Sequence, residues 1–250
     1  MSIKNTVVIV TGASSGMGVS IAEHLYQAGY ALALHGRDQQ RLSAVAAGFD
    51  DKSRVITVAG DVAIETDRAK LVAATLEAFG KVDALVNNAG IFSPKPFLEV
   101  TEADLDQYLS TNLKGTYFLT QKVIPLLQQQ GGGSVINMGT VLVNHALGGV
   151  PATAPISSKG GIHGLTVQLA AEFGKDNIRV NTIAPGIIRT PMHARNGIDD
   201  SDSLAGLHLL NRIGEGEHIA TMVEQLISND FVSGTIINVD GGHVAGHHLG

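Results

Sequence analysis

The stretch TGASSGMG, Thr11 to Gly18, decides how the rest of the chain is read. It follows the apolar run TVVIV (6–10) and leads into GVSIAEHLYQAG (18–29), where Ile21, Leu25 and Ala28 recur at helical spacing. A strand, a glycine-rich turn and a helix in that order suit a pyrophosphate. Glycines let the backbone come close, and the helix N-terminus offers unpaired N–H groups and the positive end of its dipole. The spacing is G-x-x-x-G-x-G, not the G-x-G-x-x-G of the general dinucleotide fingerprint. Alone, such a turn also fits a purely structural role.

Outward from it the same alternation continues. ALALH is followed by QQRLSAVAAG, and RVITVAG by ETDRAKLVAATLEAFG. DALVNNAG precedes a long helical pattern from about Glu102 to Gln129, and SVINMGT a helix from about Pro155 to Phe173. IRVNTIAPG, GEHIATMVEQLIS and GTIINVDGG close the series. Seven nearly continuous apolar strands interleaved with helices predict an α/β fold: a parallel sheet, right-handed crossovers and helices on both faces. No linker, repeat or low-complexity segment interrupts it, so residues 1–250 read as one domain. The long irregular stretch is Arg189 to Gly214, just past the sixth strand, where a loop of that length fits a substrate lid.

Composition bounds the function. The 250 residues are 44% hydrophobic, enough for a sizeable core, and the net charge is −6. An acidic balance argues against a nucleic-acid groove or an anionic membrane surface. With no cysteine there is no disulfide, thiolate nucleophile or Cys-ligated metal. The opening apolar run is too short for a signal peptide, and no stretch approaches the roughly 18 apolar residues of a membrane span. The expectation is a cytoplasmic protein. Near the end, GHH is suggestive of metal, but no paired carboxylate set supports it, so no metal site is predicted.

Five ordered motifs, TGASSGMG, NNAG (87–90), Asn112 in STNLKGT, SSKGGIHGLT (157–166) and APGIIRTPM (184–192), together resemble the short-chain dehydrogenase/reductase family. The likeness runs on to VDGG (239–242). It implies a doubly wound Rossmann-type domain of strand order 3-2-1-4-5-6-7, a nicotinamide dinucleotide, a small-molecule carbonyl or alcohol substrate, and a homo-oligomer, a tetramer in the family. Carried over by motif, Gly12, Ser14, Ser15, Gly16, Met17 and Gly18 form the pyrophosphate turn. Asp61 and Val62 contact adenine, and Asn88, Ala89 and Gly90 line the cofactor. Pro185, Gly186, Ile188 and Thr190 hold the nicotinamide end, Ile188 by its backbone and Thr190 by its hydroxyl. These positions follow the carboxyl ends of strands, where open α/β sheets take their ligands.

Charge argues the choice of cofactor. An acidic residue after the second strand grips ribose hydroxyls and repels a 2′-phosphate. This chain has Gly36 and then Arg37, whose guanidinium can pair with that phosphate through two parallel hydrogen bonds. Asp38 next door can serve either partner. NADP(H) is the expectation.

The catalytic positions depart from the family pattern. There a tyrosine handles the proton, a serine orients the substrate oxygen, a lysine binds the nicotinamide ribose and depresses the tyrosine pKa, and an asparagine supports a relay water. Asn112 and Lys159 are kept, Thr140 falls at the serine, and the tyrosine position, four before Lys159, is Pro155. No Tyr-x-x-x-Lys exists anywhere in the chain. Proline suits the first turn of a helix, with Thr153 or Ala154 as cap, so the change removes chemistry while sparing the fold.

Three replacements come to hand. Ser157 and Ser158 lie roughly 200° and 100° around the helix from Lys159, off its face. His163 shares that face one turn on, and reads best as a packed histidine. His145, five residues past Thr140, is the better candidate because histidine as a residue type suits neutral-pH acid–base work, though a solvent-facing loop histidine is the plainer reading. The remaining route is a water held between Asn112, Thr140 and Lys159. Met192 and His193, in the lid, are expected at the substrate. The leading expectation is an NADP(H)-dependent oxidoreductase with a nonstandard proton donor. The alternative is a dinucleotide-binding protein without turnover, a sensor or assembly partner.

Overall fold

The computed structural model describes residues 6–248. Seven strands form one parallel sheet of order β3-β2-β1-β4-β5-β6-β7. They are β1 (Val7–Thr11), β2 (Ala31–Gly36), β3 (Val55–Ala59), β4 (Ala84–Asn87), β5 (Gly133–Met138), β6 (Ile178–Pro185) and β7 (Ile236–Val239). The helices are α1 (Met17–Gln27), α2 (Gln39–Ala47), α3 (Glu65–Phe79), α4 (Glu102–Tyr108), α5 (Gly115–Gln129), α6 (Thr153–Phe173), α7 (Pro191–Arg195) and α8 (Gly216–Ser228). The fold is Rossmann-type and doubly wound, as the alternation predicts. Among the described residues no helix is long and apolar enough to cross a membrane.

Side chains alternate across each strand, so one continuous apolar run feeds two cores. Val8 and Val10 of β1, with Val86 and Ile136, pack against Ile21 and Leu25 of α1 and Ile219 and Val223 of α8. Ile9, Leu85 and Val135 face the other way, onto Leu71 of α3 and Leu119, Val123 and Leu127 of α5. Full burial of each such side chain stabilises by roughly 1.5–3 kcal/mol. The order reverses between β1 and β4, and that reversal opens a crevice at the carboxyl ends of the strands.

Three boundaries differ from the sequence reading. The long helix expected over 102–129 is split by a π-helical segment, Leu109–Lys114, that carries Asn112. An i→i+5 insert of this kind costs hydrogen-bond geometry and recurs at functional sites. The helix expected from Pro155 starts at Thr153, with Ala152 rather than Thr153 or Ala154 at the cap. Pro155 still lies in the first turn, before Ile156 N–H donates the first helical bond to Ala152 O (3.0 Å), so its missing N–H costs nothing. The stretch 189–214 is ordered, with α7 and a 3₁₀ turn at Ser201–Leu207. Arg189 straps it, bonding Asp202 (2.7 Å) and Glu215 (3.0 Å).

Candidate active site

The crevice is a cleft of about 660 Å³ at the carboxyl edge of the sheet. One end is the glycine turn. Gly12 (φ +67°) and Gly16 (φ +56°) hold left-handed backbone that favours glycine. A Cβ on Gly12 would meet Asn88 Nδ2 at 2.8 Å and Ala89 Cα at 2.9 Å, so the turn and the end of β4 touch. Gly16 caps α1 without a side-chain bond, and no acidic residue stands in the first turn. Those N–H groups are available to an anion. Ser14, Ser15 and Met17 line the same end. Gly18 does not line the cleft; a Cβ there would collide with the Gly12 carbonyl, so its role is close packing of α1 on the turn.

Thr11 ties the floor together, its Oγ1 accepting from both Asn88 N–H and Ala89 N–H at 3.0 Å. Asn88 Nδ2 donates to Thr11 O (2.9 Å), while its Oδ1 is buried without a protein partner. Asp61 and Val62 line the wall past β3, with Asp61 Oδ1 accepting from Ala63 N–H (2.8 Å). Arg37 lines the cleft, is exposed, and has no hydrogen bond or ion pair among the described residues. Asp38 is otherwise engaged, capping α2 through Arg41 N–H (3.1 Å) and pairing with the Arg41 side chain.

The other end joins Gly90, Thr140, Lys159, Pro185, Gly186, Ile188, Thr190, Met192 and His193 around one space. Lys159 Nζ donates to Met138 O at 2.5 Å. Burial pulls its pKa down from the ordinary lysine value to about 8. Asn112 is wholly buried and stands behind the wall. Its Oδ1 accepts from Ile91 N–H (2.8 Å), and its Nδ2 donates to Ile91 O (3.1 Å) and Ser158 Oγ (2.9 Å). A Cβ on Gly90 would sit 3.3 Å from both Asn112 Oδ1 and Lys159 Nζ, so Gly90 is the gap through which the two approach. Asn196 Nδ2 of the strapped segment donates to Phe92 O (3.1 Å), closing the far rim.

The sequence profile named for enoyl-(acyl carrier protein) reductase matches residues 12–244. A curated relative, (2S)-[(R)-hydroxy(phenyl)methyl]succinyl-CoA dehydrogenase subunit BbsD of Thauera aromatica, is 34% identical over 97% of this chain and 98% of its own length. This chain belongs to the short-chain dehydrogenase/reductase family. The crystal structure of levodione reductase superposes on this dehydrogenase/reductase with a TM-score of 0.91, at 32% identity, covering 98% of this chain and 99% of the other. The 3-ketoacyl-(acyl-carrier-protein) reductase of Brucella melitensis, complexed with NADH, gives 0.88 at 27% identity, covering 97% and 99%. These relatives are named as dehydrogenases and reductases, and the Brucella melitensis enzyme is the one bound to NADH.

Pro155 of the dehydrogenase/reductase is buried and lines not the cleft but a side cavity of about 210 Å³, with Ser93, Tyr108 and Ala154. His145 is turned away too. Its ring packs on His243 (5.2 Å) and His247 (5.0 Å), and it is not on the cleft wall. Contact with these two imidazoles of the C-terminal segment, far along the chain from Thr140, sets where the ring lies. His163 is buried behind Gly139, with its pKa lowered by desolvation and then by Lys159. Ser158, off the Lys159 face as the helical angle requires, accepts from Asn112 and donates to Pro155 O (2.7 Å). Among the described residues no group of three His, Asp or Glu side chains is arranged to hold a metal ion.

Sequence reading passed over His35, Leu142 and Leu147 on the cleft wall. His35, next to last in β2, has both ring nitrogens buried and unpartnered, and burial depresses its pKa to about 4 against the pull of Asp67 and Asp61. A histidine whose folded pKa is depressed binds its proton better when unfolded. Its cost is absent above the free histidine value near 6.5 and grows as pH falls toward 4. His35→Leu should therefore stabilise the fold at pH 5 by about 2 kcal/mol more than at pH 8. Urea unfolding at both pH values checks this, and an equal offset at the two would show His35 is not held neutral.

Proposed function

We propose that this chain is an NADP(H)-dependent oxidoreductase that interconverts a carbonyl and an alcohol on a small molecule, with a proton route that bypasses tyrosine. The observation that carries this reading is that the glycine turn, the unengaged Arg37, Thr140 and the Lys159 ammonium open into one cleft. The residues fit the dinucleotide. The free N–H groups of α1 suit the pyrophosphate, the orphan Asn88 Oδ1 awaits a donor, and the missing Cβ of Gly90 leaves space beside Lys159. When bound, the nicotinamide supplies or accepts the hydride.

The chain's own residues do the rest. Thr140 Oγ1 orients the substrate oxygen, and the Lys159 ammonium hydrogen-bonds the nicotinamide ribose. With a pKa near 8, Lys159 is a stronger acid than a free lysine yet still largely charged at pH 7. It passes a proton to the substrate oxygen through a water held against Thr140. Asn112 acts from behind, fixing the Ile91 turn and, through Ser158, the start of α6. Met192, His193, Leu204 and Leu207 form the substrate wall within a lid over 189–214. His193 stays neutral there, its pKa lowered by burial and then by Arg189.

Lys159→Ala tests this reading directly. Loss of a charge-assisted hydrogen bond of about 1.5–3 kcal/mol should weaken NADPH binding by about 10- to 100-fold. An unchanged dissociation constant in a folded variant would sink the ribose assignment. We also propose a cytoplasmic homotetramer, since Tyr117 and Phe118 of α5 and Val167 of α6 are exposed apolar groups that such an assembly would cover.

One observation favours a second reading, a dinucleotide-binding protein without turnover: Pro155 offers no proton and does not reach the cleft. Nucleotide titration followed by hydride transfer over a panel of ketones and alcohols separates the two. Binding with no turnover selects the second.

A further inference from the structure

The turn 185–188, at the carboxyl end of β6, is held from behind by a histidine outside the family motifs. His208, just past the 3₁₀ turn Ser201–Leu207, is 2% exposed. Its Nε2 accepts from Ile187 N–H at 3.1 Å. A Cβ on Gly186 would stand 3.0 Å from the same nitrogen, so the imidazole presses directly on the turn. Gly186 and Ile188, on either side of Ile187, line the cleft. The acceptor role requires a neutral ring with its proton on Nδ1, and that nitrogen is buried without a hydrogen-bond partner.

Other imidazoles crowd the ring. His243 packs edge-on at 5.5 Å, wholly buried, with both of its nitrogens unpartnered. His145 and His247 lie beyond it, at 5.0–5.2 Å between rings. A charge on any of these imidazoles raises the cost of a charge on the next. Burial and then His208 and His145 lower the His243 pKa. Asp240 is the acidic group that acts on His243, where it opposes this. Its carboxylate already accepts from Gly242 N–H (3.0 Å) and Val244 N–H (3.0 Å). His248 bonds the Leu209 carbonyl next door (3.0 Å).

We infer that His208 is a positioning residue for the nicotinamide-facing turn, acting as a neutral acceptor, so that nucleotide affinity falls when the His208–His243 cluster is protonated. Protonation at Nε2 sets two N–H donors against each other at Ile187 and leaves a buried cation with no acceptor. Relief comes from withdrawing His208 from behind the turn, which loosens the nicotinamide end of the cleft together with the Leu204–Leu207 wall. The inference rests on the nucleotide reading proposed above.

The test is titration of NADPH, and of NADH as a control lacking the 2′-phosphate, at pH 8.0 and 5.5. Wild type should lose affinity for both at the lower pH, the loss expected when one imidazole must shed its proton before the site forms. His208→Gln, whose Oε1 can accept from Ile187 and cannot titrate, should bind as wild type does at pH 8.0 and keep that affinity at pH 5.5. His208→Leu should bind weakly at both. A wild type with equal affinity at both pH values, or a His208→Gln variant with an undiminished pH effect, overturns the inference while leaving nucleotide binding intact. No binding at pH 8.0 overturns the nucleotide reading and this inference with it. Should the variants not fold, the side-chain NMR titration of wild-type His208 decides: saturating NADPH must lower its midpoint, and an unmoved midpoint overturns the inference.

Discussion

Pro155→Tyr combined with Thr140→Ser is expected to raise hydride transfer on simple ketones by about 10²- to 10⁴-fold, the usual worth of a general acid. The backbone permits the change. Pro155 lies in the first turn of α6, where no helical bond to its nitrogen is forgone. Space permits it as well, since the residue borders a cavity of about 210 Å³. A phenol at this position shares a helix face with Lys159 one turn on, and the ammonium draws its pKa down from the ordinary value near 10 toward the working range. Thr140→Ser removes a methyl from the position proposed for the substrate oxygen. The side cavity, lined in part by Tyr108, offers the new ring a second place to lie. A double variant that folds and binds NADPH yet is no faster would show the ring there, and the cleft built for a different proton route. Loss of the wild-type rate without a gain would show that the native route needs the opening proline leaves.

Arg37→Asp is expected to reverse nucleotide preference, shifting the NADPH-to-NADH affinity ratio by about 10²-fold or more. Loss of a charge-assisted fork contributes about 1.5–3 kcal/mol, and repulsion between carboxylate and 2′-phosphate adds to it. The new carboxylate can instead accept from the ribose hydroxyls. Arg37 is suited to the test because it is exposed and makes no bond among the described residues, so its removal disturbs no fold contact. Asp38 is tied to Arg41 and the start of α2, which leaves Arg37 as the charge facing the cleft at this edge. Isothermal titration of both nucleotides against wild type and variant decides it. Equal affinities in both proteins would mean that Arg37 is a solvated surface group.

The sequence by itself determined the sheet and most of the cleft. Seven apolar runs separated by helical patterns leave few ways to bury both faces of each strand, and the parallel solution places every strand's carboxyl end on one edge. Gly12, Asn88, Lys159 and Thr190 then meet because each follows such an end or faces it, a consequence of topology that local pattern encodes. Tertiary packing decided what periodicity cannot carry. Where a loop side chain points depends on its neighbours in space, so His145 turned to the tail and not to Thr140. The π segment at Asn112 arises because that side chain must reach the Ile91 backbone and Ser158 together, a demand absent from the spacing of apolar residues. The stretch 189–214 has no strong period, and its order comes from ties to distant groups: Arg189 to Glu215, Asn196 to Phe92 and His208 to Ile187. Those ties span up to 104 residues of chain, and only the folded molecule brings their ends together.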